Sequence, residues 1–410
     1  MSKLLNYDVV VIGGGPAGMA AAIESCNNGA KTLLIERNEK LGGILNQCIH
    51  NGFGLHYFKE ELTGPEYALK FVQLLKKTKV TVMLNTFVTK IEEGRVTILN
   101  TEGEAIVKTK SIVLAMGCRE KTAAGITLTG SRPVGVYTAG QAQKMVNVHG
   151  KLPGKKVVIL GSGDIGLIMA RRLTFQGAKV LSVLEIMPES GGLKRNISQC
   201  LNDFNIPLKL KHTVTKVVGY PRIEGVYFAE VDGFKPKLET EKFIPCDCLI
   251  LSVGLIPEVD LLPNLELNPK TGGAIVNEYR ETNIKGVFSC GNVLHVHDLV
   301  DNVTEESKLA GTNAAKYALG KLNYKNQINI VCGDFVRYVS PSTAFMGGSD
   351  NLVIYFRLSG KITNSYIKAV SGDKEVFSKF VLAANAGEMQ KIEIEKSKLN
   401  GDITVLVKEK

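Results

Sequence analysis

Two glycine-rich turns of the same design occur in the chain, each between an apolar run and a helical stretch. Their glycines stand at the first, third and sixth positions: Gly13, Gly15 and Gly18 in the first turn, and Gly161, Gly163 and Gly166 in the second. The first glycine permits a tight turn, the second lets the backbone approach a pyrophosphate, and the third lets helix pack on strand. The helix then offers free N–H groups to phosphates. One such turn is weak evidence, but the repeat predicts two dinucleotide-binding sites.

An acidic residue ends the second strand of each repeat. Glu36 and Glu185 stand about 20 residues beyond the turns, where a carboxylate accepts hydrogen bonds from ribose hydroxyls. At the second site the carboxylate would also repel the 2′-phosphate of NADP, which favours NAD(H). Lys194 and Arg195 follow within ten residues and could reach such a phosphate. NADP(H) is therefore the less favoured alternative.

Two further apolar strands end in small residues. Residues 111–115 lead into Gly117 and Cys118, and residues 286–290 lead into Gly291 and Asn292. Small residues at the carboxyl edge of a parallel sheet leave room for a ligand, although either end could be an ordinary turn.

From about residue 326 the pattern changes to alternating polar and apolar residues, as in residues 352–358 and 403–407. This period of two predicts a small β-sandwich. Because no cluster of titratable residues is evident there, docking or dimerisation is better supported than chemistry.

Composition narrows the class of protein. The chain has 410 residues, of which 44% are hydrophobic, so we expect two or three domains. Its net charge of +10 comes from dispersed lysines interleaved with acids, which does not indicate a nucleic-acid partner. The apolar runs are strand-sized, which predicts no membrane span. Eight cysteines without regular spacing, and a strand almost at the N-terminus that leaves no room for a signal peptide, predict a cytoplasmic protein.

Residues 1–325 resemble the pyridine nucleotide–disulfide oxidoreductase superfamily in the two glycine turns, in residues 115–117 and in the pair Gly291–Asn292. The resemblance implies FAD at the first turn, with Glu36 on the adenosine ribose and Ala115 and Gly117 beside the cofactor. The pair Gly291–Asn292 would lie under the ribityl chain. The family usually has Gly–Asp there, and the asparagine side chain can still donate and accept hydrogen bonds. Further contacts are expected from the turns and their surroundings, at Pro16, Ala17, Arg37, Gly43 and Val88 for FAD and at Asp164 for NAD(H).

Residues 41–54, 117–120, 132–140 and 291–298 are similar to narrower groups of flavoproteins. These groups are the FAD/NAD subunits of opine and amino-acid dehydrogenases and the flavoprotein that accompanies anaerobic glycerol-3-phosphate dehydrogenase. The similarity implies an electron-transfer component.

The cysteines argue against a dithiol mechanism. Disulfide-reducing branches of the superfamily need two thiols beside the flavin, as CxxC or CxxxxC, and neither spacing occurs in this chain. Cys246 and Cys248 have the wrong spacing. Cys48 is the one candidate catalytic residue, as a reactive thiol near the flavin, and a packing role is its alternative. Cys118 is interpreted as a packing residue.

The stretch from His295 to Asp298 contains two histidines that could bind a metal. Since a metal site needs three or four converging ligands and no separate cluster of cysteine and histidine supplies them, no metal is predicted. The following helix, expected from about residue 303, would point its N-terminus at the flavin and favour the anionic reduced form. Glu305 and Glu306 are interpreted as ordinary first-turn acids of that helix.

We therefore predict an α/β fold with two Rossmann-like dinucleotide-binding domains and a small C-terminal β-sandwich. The FAD domain is discontinuous, at residues 1–120 and 275–325, the NAD domain covers 121–274, and the β-rich domain covers 326–410. The predicted function is electron transfer between NAD(H) and FAD, as a subunit of a glycerol-3-phosphate or amino-acid/opine dehydrogenase and as part of an oligomer. Its partners would be a small-molecule or protein electron donor or acceptor. A stand-alone NAD(P)H flavin or disulfide reductase like thioredoxin reductase, and a non-catalytic nucleotide-binding scaffold, are the alternatives.

Overall fold

The strands and helices of the computed structural model follow the apolar runs of the sequence, and the structure describes residues 3–347 and 351–410. Up to residue 117 the elements are β1 Lys3–Asn6, β2 Val9–Ile12, α1 Pro16–Asn27, β3 Thr32–Ile35, β4 Asn51–Phe53, β5 Leu62–Thr63, α2 Gly64–Leu75, β6 Thr81–Met83, β7 Phe87–Glu92, β8 Arg95–Asn100, β9 Gly103–Lys108 and β10 Ser111–Leu114. The middle of the chain contains β11 Cys118–Glu120, β12 Thr129–Gly130, β13 Val136–Thr138, α3 Ala139–Asn147, β14 Lys156–Leu160, α4 Asp164–Phe175, β15 Lys179–Glu185, α5 Lys194–Cys200, β16 Leu208–Leu210, β17 His212–Val218, β18 Gly225–Asp232, β19 Lys235–Pro236, β20 Lys242–Pro245, β21 Cys248–Leu251 and β22 Leu255–Pro257. The last part contains β23 Val287–Ser289, α6 Val300–Ala318, β24 Gln327–Cys332, β25 Val336–Ser340, β26 Thr343–Phe345, β27 Asn351–Leu358, β28 Ile362–Ser371, β29 Lys374–Ala384, β30 Gln390–Glu395 and β31 Ile403–Glu409.

These elements form two compact units. The first unit comprises Met1–Cys118 and Pro257–Lys410, and the second, Arg119–Ile256, is inserted between its two parts. The chain therefore leaves the first unit after β10 and returns to it before β23.

The first unit is built on a five-stranded parallel sheet in the order β23-β10-β2-β3-β6. Alternate residues of its central strands point to opposite faces. Val9 and Val11 pack with α1, α2 and α6 on one face. Val10 and Ile12 pack on the other face with the four-stranded sheet β1-β9-β8-β7. Because both faces are covered, the central strands are continuous apolar runs.

The second unit repeats this design. Its five-stranded parallel sheet has the order β13-β21-β14-β15-β16. Val157 and Ile159 face the core formed with α3, α4 and α5, while Val158 and Leu160 face the core shared with β17 and β18. Both sheets place the strand before the glycine turn among parallel neighbours, so the turn lies at the carboxyl edge of the sheet.

The C-terminal strands of the first unit form two sheets, ordered β26-β24-β31-β28-β29 and β25-β27-β30. Residues from both sheets contribute to one apolar core, among them Ile330, Ile354, Phe356 and Val405. The alternation of residues 352–358 in the sequence thus corresponds to a strand, β27, with one face on this core.

No helix within the described residues combines the length and the apolar character that crossing a membrane requires.

Candidate dinucleotide sites

The first glycine turn, residues 13–18, joins β2 to α1. Gly13 has a φ of +106°, and a Cβ there would lie 2.4 Å from the carbonyl oxygen of Ala115. A Cβ on Gly18 would lie only 1.7 Å from the carbonyl oxygen of Gly13. These two glycines are required by the fold itself. Gly13 has a positive φ and close packing, and at Gly18 the packing alone leaves no room for a Cβ.

Gly15 differs from Gly13 and Gly18 because neither its backbone conformation nor the packing of the described protein requires a glycine there. Its φ of −74° is open to any residue, and a Cβ added there would meet no described atom within 4 Å beyond its chain neighbours. No side chain caps the described helix α1, and its first turn holds no acidic residue. The space over Gly15 and the free N–H groups of α1 therefore fit the phosphates of a dinucleotide.

Glu36 lies at the end of β3 and is buried beside the turn. Its Oε2 accepts the backbone N–H of Gly14 at 2.7 Å, and its Oε1 accepts the backbone N–H and side-chain Nδ2 of Asn38 at 2.8 and 2.7 Å. The backbone N–H of Thr86 donates to the carbonyl of Glu36 at 3.0 Å. These contacts hold the carboxylate at the carboxyl edge, where it fits a ribose.

The other predicted FAD contacts lie around the same edge. Pro16 is the first residue of α1, Gly43 would bring a Cβ to 3.1 Å from Gly15 Cα, and Arg37 is exposed directly after Glu36. Val88 belongs to β7, with its side chain in the core, so only its backbone could face a ligand.

Loops that follow β10 and β23 complete this edge. Ala115 donates its backbone N–H to Ile12 at 2.9 Å, and Gly117 has a φ of +74°. Gly291, with a φ of +70°, lies against the first glycine turn, since a Cβ there would be 2.8 Å from the Cβ of Ala17. Asn292 follows directly, and its Nδ2 lies 3.8 Å from Cys118 Sγ. The structure thus gathers the predicted residues of the first site around one edge of the five-stranded sheet, except Val88, which lies on β7 of the four-stranded sheet with its side chain in the core.

The second glycine turn, residues 161–166, has the same arrangement within the second unit. Gly161 has a φ of +99°, and a Cβ there would lie 2.0 Å from the carbonyl oxygen of Ser252. A Cβ on Gly166 would lie 2.7 Å from the carbonyl oxygen of Gly161. At Gly163 a Cβ would meet only Ser252 Oγ, at an ordinary 3.8 Å, within the described residues. As in the first turn, the middle glycine is the position that a ligand would require.

Glu185 ends β15 beside this turn. Its Oε2 accepts the backbone N–H and the hydroxyl of Ser162 at 2.8 and 2.7 Å, and its Oε1 accepts the backbone N–H of Met187 at 2.9 Å. The residue is buried, whereas Lys194 and Arg195, at the start of α5, are exposed. The group fixed at this edge is therefore a carboxylate.

Asp164, the first residue of α4, is hydrogen-bonded in the described structure to the loop before α5 and to the first turn of α5. Its Oδ1 accepts the backbone N–H of Leu193 at 2.8 Å and the Nδ2 of Asn196 at 2.7 Å. Its role toward NAD(H) stays a prediction, and its visible role is to hold that loop over the glycine turn.

Cys48 follows the short helical turn Gly43–Gln47. Its thiol lies 3.3 Å from the carbonyl oxygen of Ile44, and burial raises its pKa to about 12. A thiol with this pKa is protonated at neutral pH and is a weak nucleophile. All eight cysteines lie in the described part of the chain, and the structure pairs no two of them in a disulfide. Catalysis by Cys48 stays a prediction, with geometry that favours packing.

The interpretation of Glu306 as an ordinary first-turn acid is wrong. Helix α6 begins at Val300, and Glu306 is a buried residue of its second turn. Its Oε1 lies 2.9 Å from His295 Nε2, and its Oε2 lies 2.9 Å from His297 Nε2. We call these three residues the His–Glu cluster. They offer one ligand atom each, within 4.8 Å of one another.

Arg280 shows how the charge of the His–Glu cluster is balanced. Its Nε donates to Glu306 Oε1 at 3.1 Å, and both side chains are fully buried. Burial alone would raise the pKa of Glu306, but the two histidines and their hydrogen bonds hold it well below its usual range. Burial also lowers the pKa of His295 to about 4, against the raising effect of Glu306. The cluster is thus an ionised carboxylate that accepts from a neutral His295, from the ring of His297 and from one guanidinium.

Comparison with known proteins gives the family and the fold of this chain. The family described as pyridine nucleotide-disulphide oxidoreductase matches residues 7–332. Leghemoglobin reductase of Glycine max is 28% identical over 93% of this chain and 80% of its own length. An opine oxidase subunit of Agrobacterium tumefaciens is 28% identical over 62% of this chain and 54% of its own length. The thioredoxin reductase structure of Lactococcus lactis has a TM-score of 0.64 at 22% identity, covering 77% of this chain and 99% of that one, which shows a shared fold.

The fold and its two glycine turns define an NAD(P)- and FAD-dependent oxidoreductase, the class to which these relatives belong. The chain is a member of the pyridine nucleotide-disulphide oxidoreductase family. The resemblance drawn from its motifs and the mixed α/β fold are therefore confirmed.

Proposed function

We propose that this protein transfers electrons between NAD(H), bound at the second glycine turn, and FAD, bound at the first, as the electron-transfer component of a dehydrogenase. The observation that carries the proposal is the duplicated arrangement of an open middle glycine beside a buried carboxylate, Gly15 with Glu36 and Gly163 with Glu185. Each half supplies what one dinucleotide needs, which is room for phosphates and an acceptor for ribose hydroxyls. We assign a Rossmann-like role to both parallel sheets on this basis.

FAD, when bound, supplies two-electron exchange with nicotinamide and with a second acceptor or donor. The residues of this chain bind and orient it. Gly15 and the N-terminus of α1 face the phosphates, Glu36 accepts from the adenosine ribose, and the loops at residues 115–118 and 291–292 face the remaining half. The second turn orients the nicotinamide dinucleotide by the same chemistry. A bound nucleotide without turnover would not require both sites, which argues against a mere scaffold.

NAD(H) is the proposed nicotinamide partner. The Glu185 carboxylate is anchored by Ser162 and the backbone of Met187, so it cannot readily swing away from a ribose 2′-position. A 2′-phosphate there would meet a fixed negative charge. The exposed Lys194 and Arg195 are the residues through which NADP(H) could still be accommodated.

The properties of the cysteines favour a role as a dehydrogenase component over a role in disulfide reduction. The sequence has no CxxC or CxxxxC pair, and the thiol of Cys48 is half-buried with its pKa raised to about 12. The similarity to a protein named as an opine oxidase subunit supports a complex of several different chains. The thioredoxin reductase and bacillithiol disulfide reductase structures support the alternative, a stand-alone reductase, through fold alone. We further propose an oligomer in the cytoplasm and the three-domain division given above.

Anaerobic stopped-flow spectroscopy tests the proposal directly. NADH should bleach the bound flavin faster than NADPH, and the reduced protein should pass its electrons to an artificial dye. An oxidised thioredoxin or a low-molecular-weight disulfide should be a poor acceptor. A purified protein without FAD, or one that NADH leaves oxidised, would refute electron transfer. Rapid turnover with a disulfide would instead establish the stand-alone reductase.

A further inference from the structure

The position of the flavin half of the dinucleotide follows from the order of the strands, if FAD binds as proposed. Glu36 ends β3 and the first glycine turn follows β2, so ribose and phosphates occupy the edge over β3 and β2. The sheet continues through β10 to β23. The other half of the dinucleotide must therefore extend over the ends of β10 and β23, where Cys118 and Asn292 lie.

The amide of Asn292 has a defined orientation at this place. Its Oδ1 accepts the backbone N–H of His297 at 3.1 Å. Because a backbone N–H can only donate, the oxygen of the amide must face His297. The Nδ2 group consequently points toward the end of β10, near Cys118. Asn292 presents a hydrogen-bond donor at a position where an aspartate would present an acceptor.

Glu306 holds both ends of the loop that carries this amide. Its Oε2 accepts the backbone N–H of Gly291 at 3.1 Å and the ring of His297 at 2.9 Å. Its Oε1 accepts from His295 and Arg280. One buried carboxylate thus fixes Gly291 before Asn292 and His297 after it.

The charges favour this hydrogen-bonded arrangement over a metal ion. The negative charge of Glu306 is already balanced by the guanidinium of Arg280, and both side chains are fully buried. A divalent ion bound through both Nε2 atoms would require each histidine ring to carry its proton on Nδ1 instead, and the two positive charges of the ion would stay uncompensated in a dry interior. Such a burial is strongly unfavourable.

The C-terminal strands hold the same loop from its outer side. Arg357 of β27 donates through its NH2 group to the carbonyl of Val296 at 3.0 Å and to Asp298 Oδ1 at 2.6 Å. Asp298 Oδ2 accepts the backbone N–H of Met389 at 2.7 Å. The ion pair between Arg357 and Asp298 therefore joins these strands to the loop that precedes α6, in addition to the fully buried pair of Arg280 and Glu306.

We propose that Glu306 is a positioning residue for the flavin. By holding Gly291 and His297 it sets the direction in which Asn292 donates its amide N–H to the flavin half of FAD, and Arg357 closes the loop from outside. The C-terminal strands are, in this view, part of the flavin site. This inference rests on the proposed binding of FAD at the first glycine turn.

The test compares Glu306→Gln with Glu305→Gln. Both remove one negative charge from neighbouring positions of α6, but Glu305 pairs with Lys391 and is half-exposed. Apoprotein is reconstituted with FAD to measure its dissociation constant, and the midpoint potential of the bound flavin is measured. Glu306→Gln should weaken FAD binding about tenfold and shift the potential, because an amide nitrogen now faces donors. Glu305→Gln should match the parent in both.

Arg357→Gln provides the second variant, since the Asp298 carboxylate that it leaves behind is not fully buried and still accepts the backbone N–H of Met389. We expect weaker FAD binding by a few-fold at unchanged circular dichroism, with partial recovery in Arg357→Lys. If Glu306→Gln does not fold, parental FAD affinity in both Arg357→Gln and Asn292→Ala overturns the proposal. Parental affinity and potential in a folded Glu306→Gln overturn it too.

Two further results separate the possible failures. A stoichiometric metal in the purified parent that disappears in Glu306→Gln would overturn the proposal by showing that the His–Glu cluster is a metal centre. A parent that binds no FAD at all would refute the proposed function. A parent that binds FAD while the variants retain its affinity and potential would refute only the positioning role.

Discussion

Acidification should destabilise this protein through one buried histidine. In the folded chain, burial lowers the pKa of His295 from an ordinary 6.5 to about 4. Because the folded value is depressed, the unfolded chain binds more protons between these two pH values. The free energy of unfolding should therefore fall as pH falls through this window and be fully restored above it.

The size of the effect follows from the shift. The whole displacement corresponds to about 3 kcal/mol, and linkage gives about 2 kcal/mol lost between about pH 7 and about pH 5. Glu306 acts in the same direction, since its pKa is held well below its usual range by the histidines. The stability that Glu306 contributes is lost at a lower pH than that of His295, in the range where carboxylates take up protons. The loss near pH 5 is thus attributable to His295.

The variant His295→Gln isolates this titration. A glutamine Nε2 can donate to Glu306 as the histidine Nε2 does at 2.9 Å, but it does not titrate. Urea unfolding of parent and variant, followed by far-ultraviolet circular dichroism and by flavin release, gives the free energies at both pH values. The chain has no tryptophan, so fluorescence of that residue is not a probe. The parent should lose about 2 kcal/mol more than the variant. Equal losses would refute the assignment of a neutral, buried His295.

Other predictions follow from the two sites. Gly15→Ala should abolish FAD retention through purification without lowering the thermal stability of the apoprotein, because a Cβ there meets no described protein atom within 4 Å; an unfolded variant would contradict this. Gly163→Ala should instead raise the KM for NADH and leave the flavin content unchanged, as absorbance and steady-state kinetics would show. Glu185→Ala should relax the preference for NADH over NADPH by about 1–2 kcal/mol in kcat/KM, and a parent that prefers NADPH would contradict the role of this carboxylate. Cys48→Ser should keep NADH-to-dye electron transfer within a few-fold of the parent, since the thiol is protonated at neutral pH. If the variant instead loses turnover and also loses a long-wavelength absorbance band that the parent shows, the thiol is redox-active.

The two glycine turns could be predicted from the sequence because their requirements are local. Gly13 and Gly161 adopt positive φ angles and approach a neighbouring carbonyl, which few residues tolerate, and each lies at a fixed distance from its carboxylate. The apolar strands could be predicted equally well, since both faces of each parallel sheet are covered. These parts of the fold depend on short stretches of chain.

The His–Glu cluster was not predicted because it depends on contacts between distant parts of the chain. Arg280 lies 26 positions before Glu306, in a region without a clear motif. One signal was nevertheless present in the sequence. Val303 and Ala310 mark the buried face of α6, and Glu306 stands between them at helical spacing. An acid on a buried face needs a partner, and the two histidines just before the helix were the nearest candidates.

The insertion of the second unit into the first imposes an order on synthesis. Strand β23 and helix α6 leave the ribosome only after the whole of Arg119–Ile256 has been made. At elongation rates of about 5 to 20 residues per second, the roughly 200 residues between Cys118 and Ala318 take about 10 to 40 s. During that time β10 has no β23 to pair with, so the nascent sheet exposes an open edge to other chains. The second unit can fold in this interval, whereas the first, on the roles proposed for Gly291 and Glu306, would retain FAD only after these two residues have been made. Aggregation during expression should therefore depend more on the final third of the chain than on its first glycine turn.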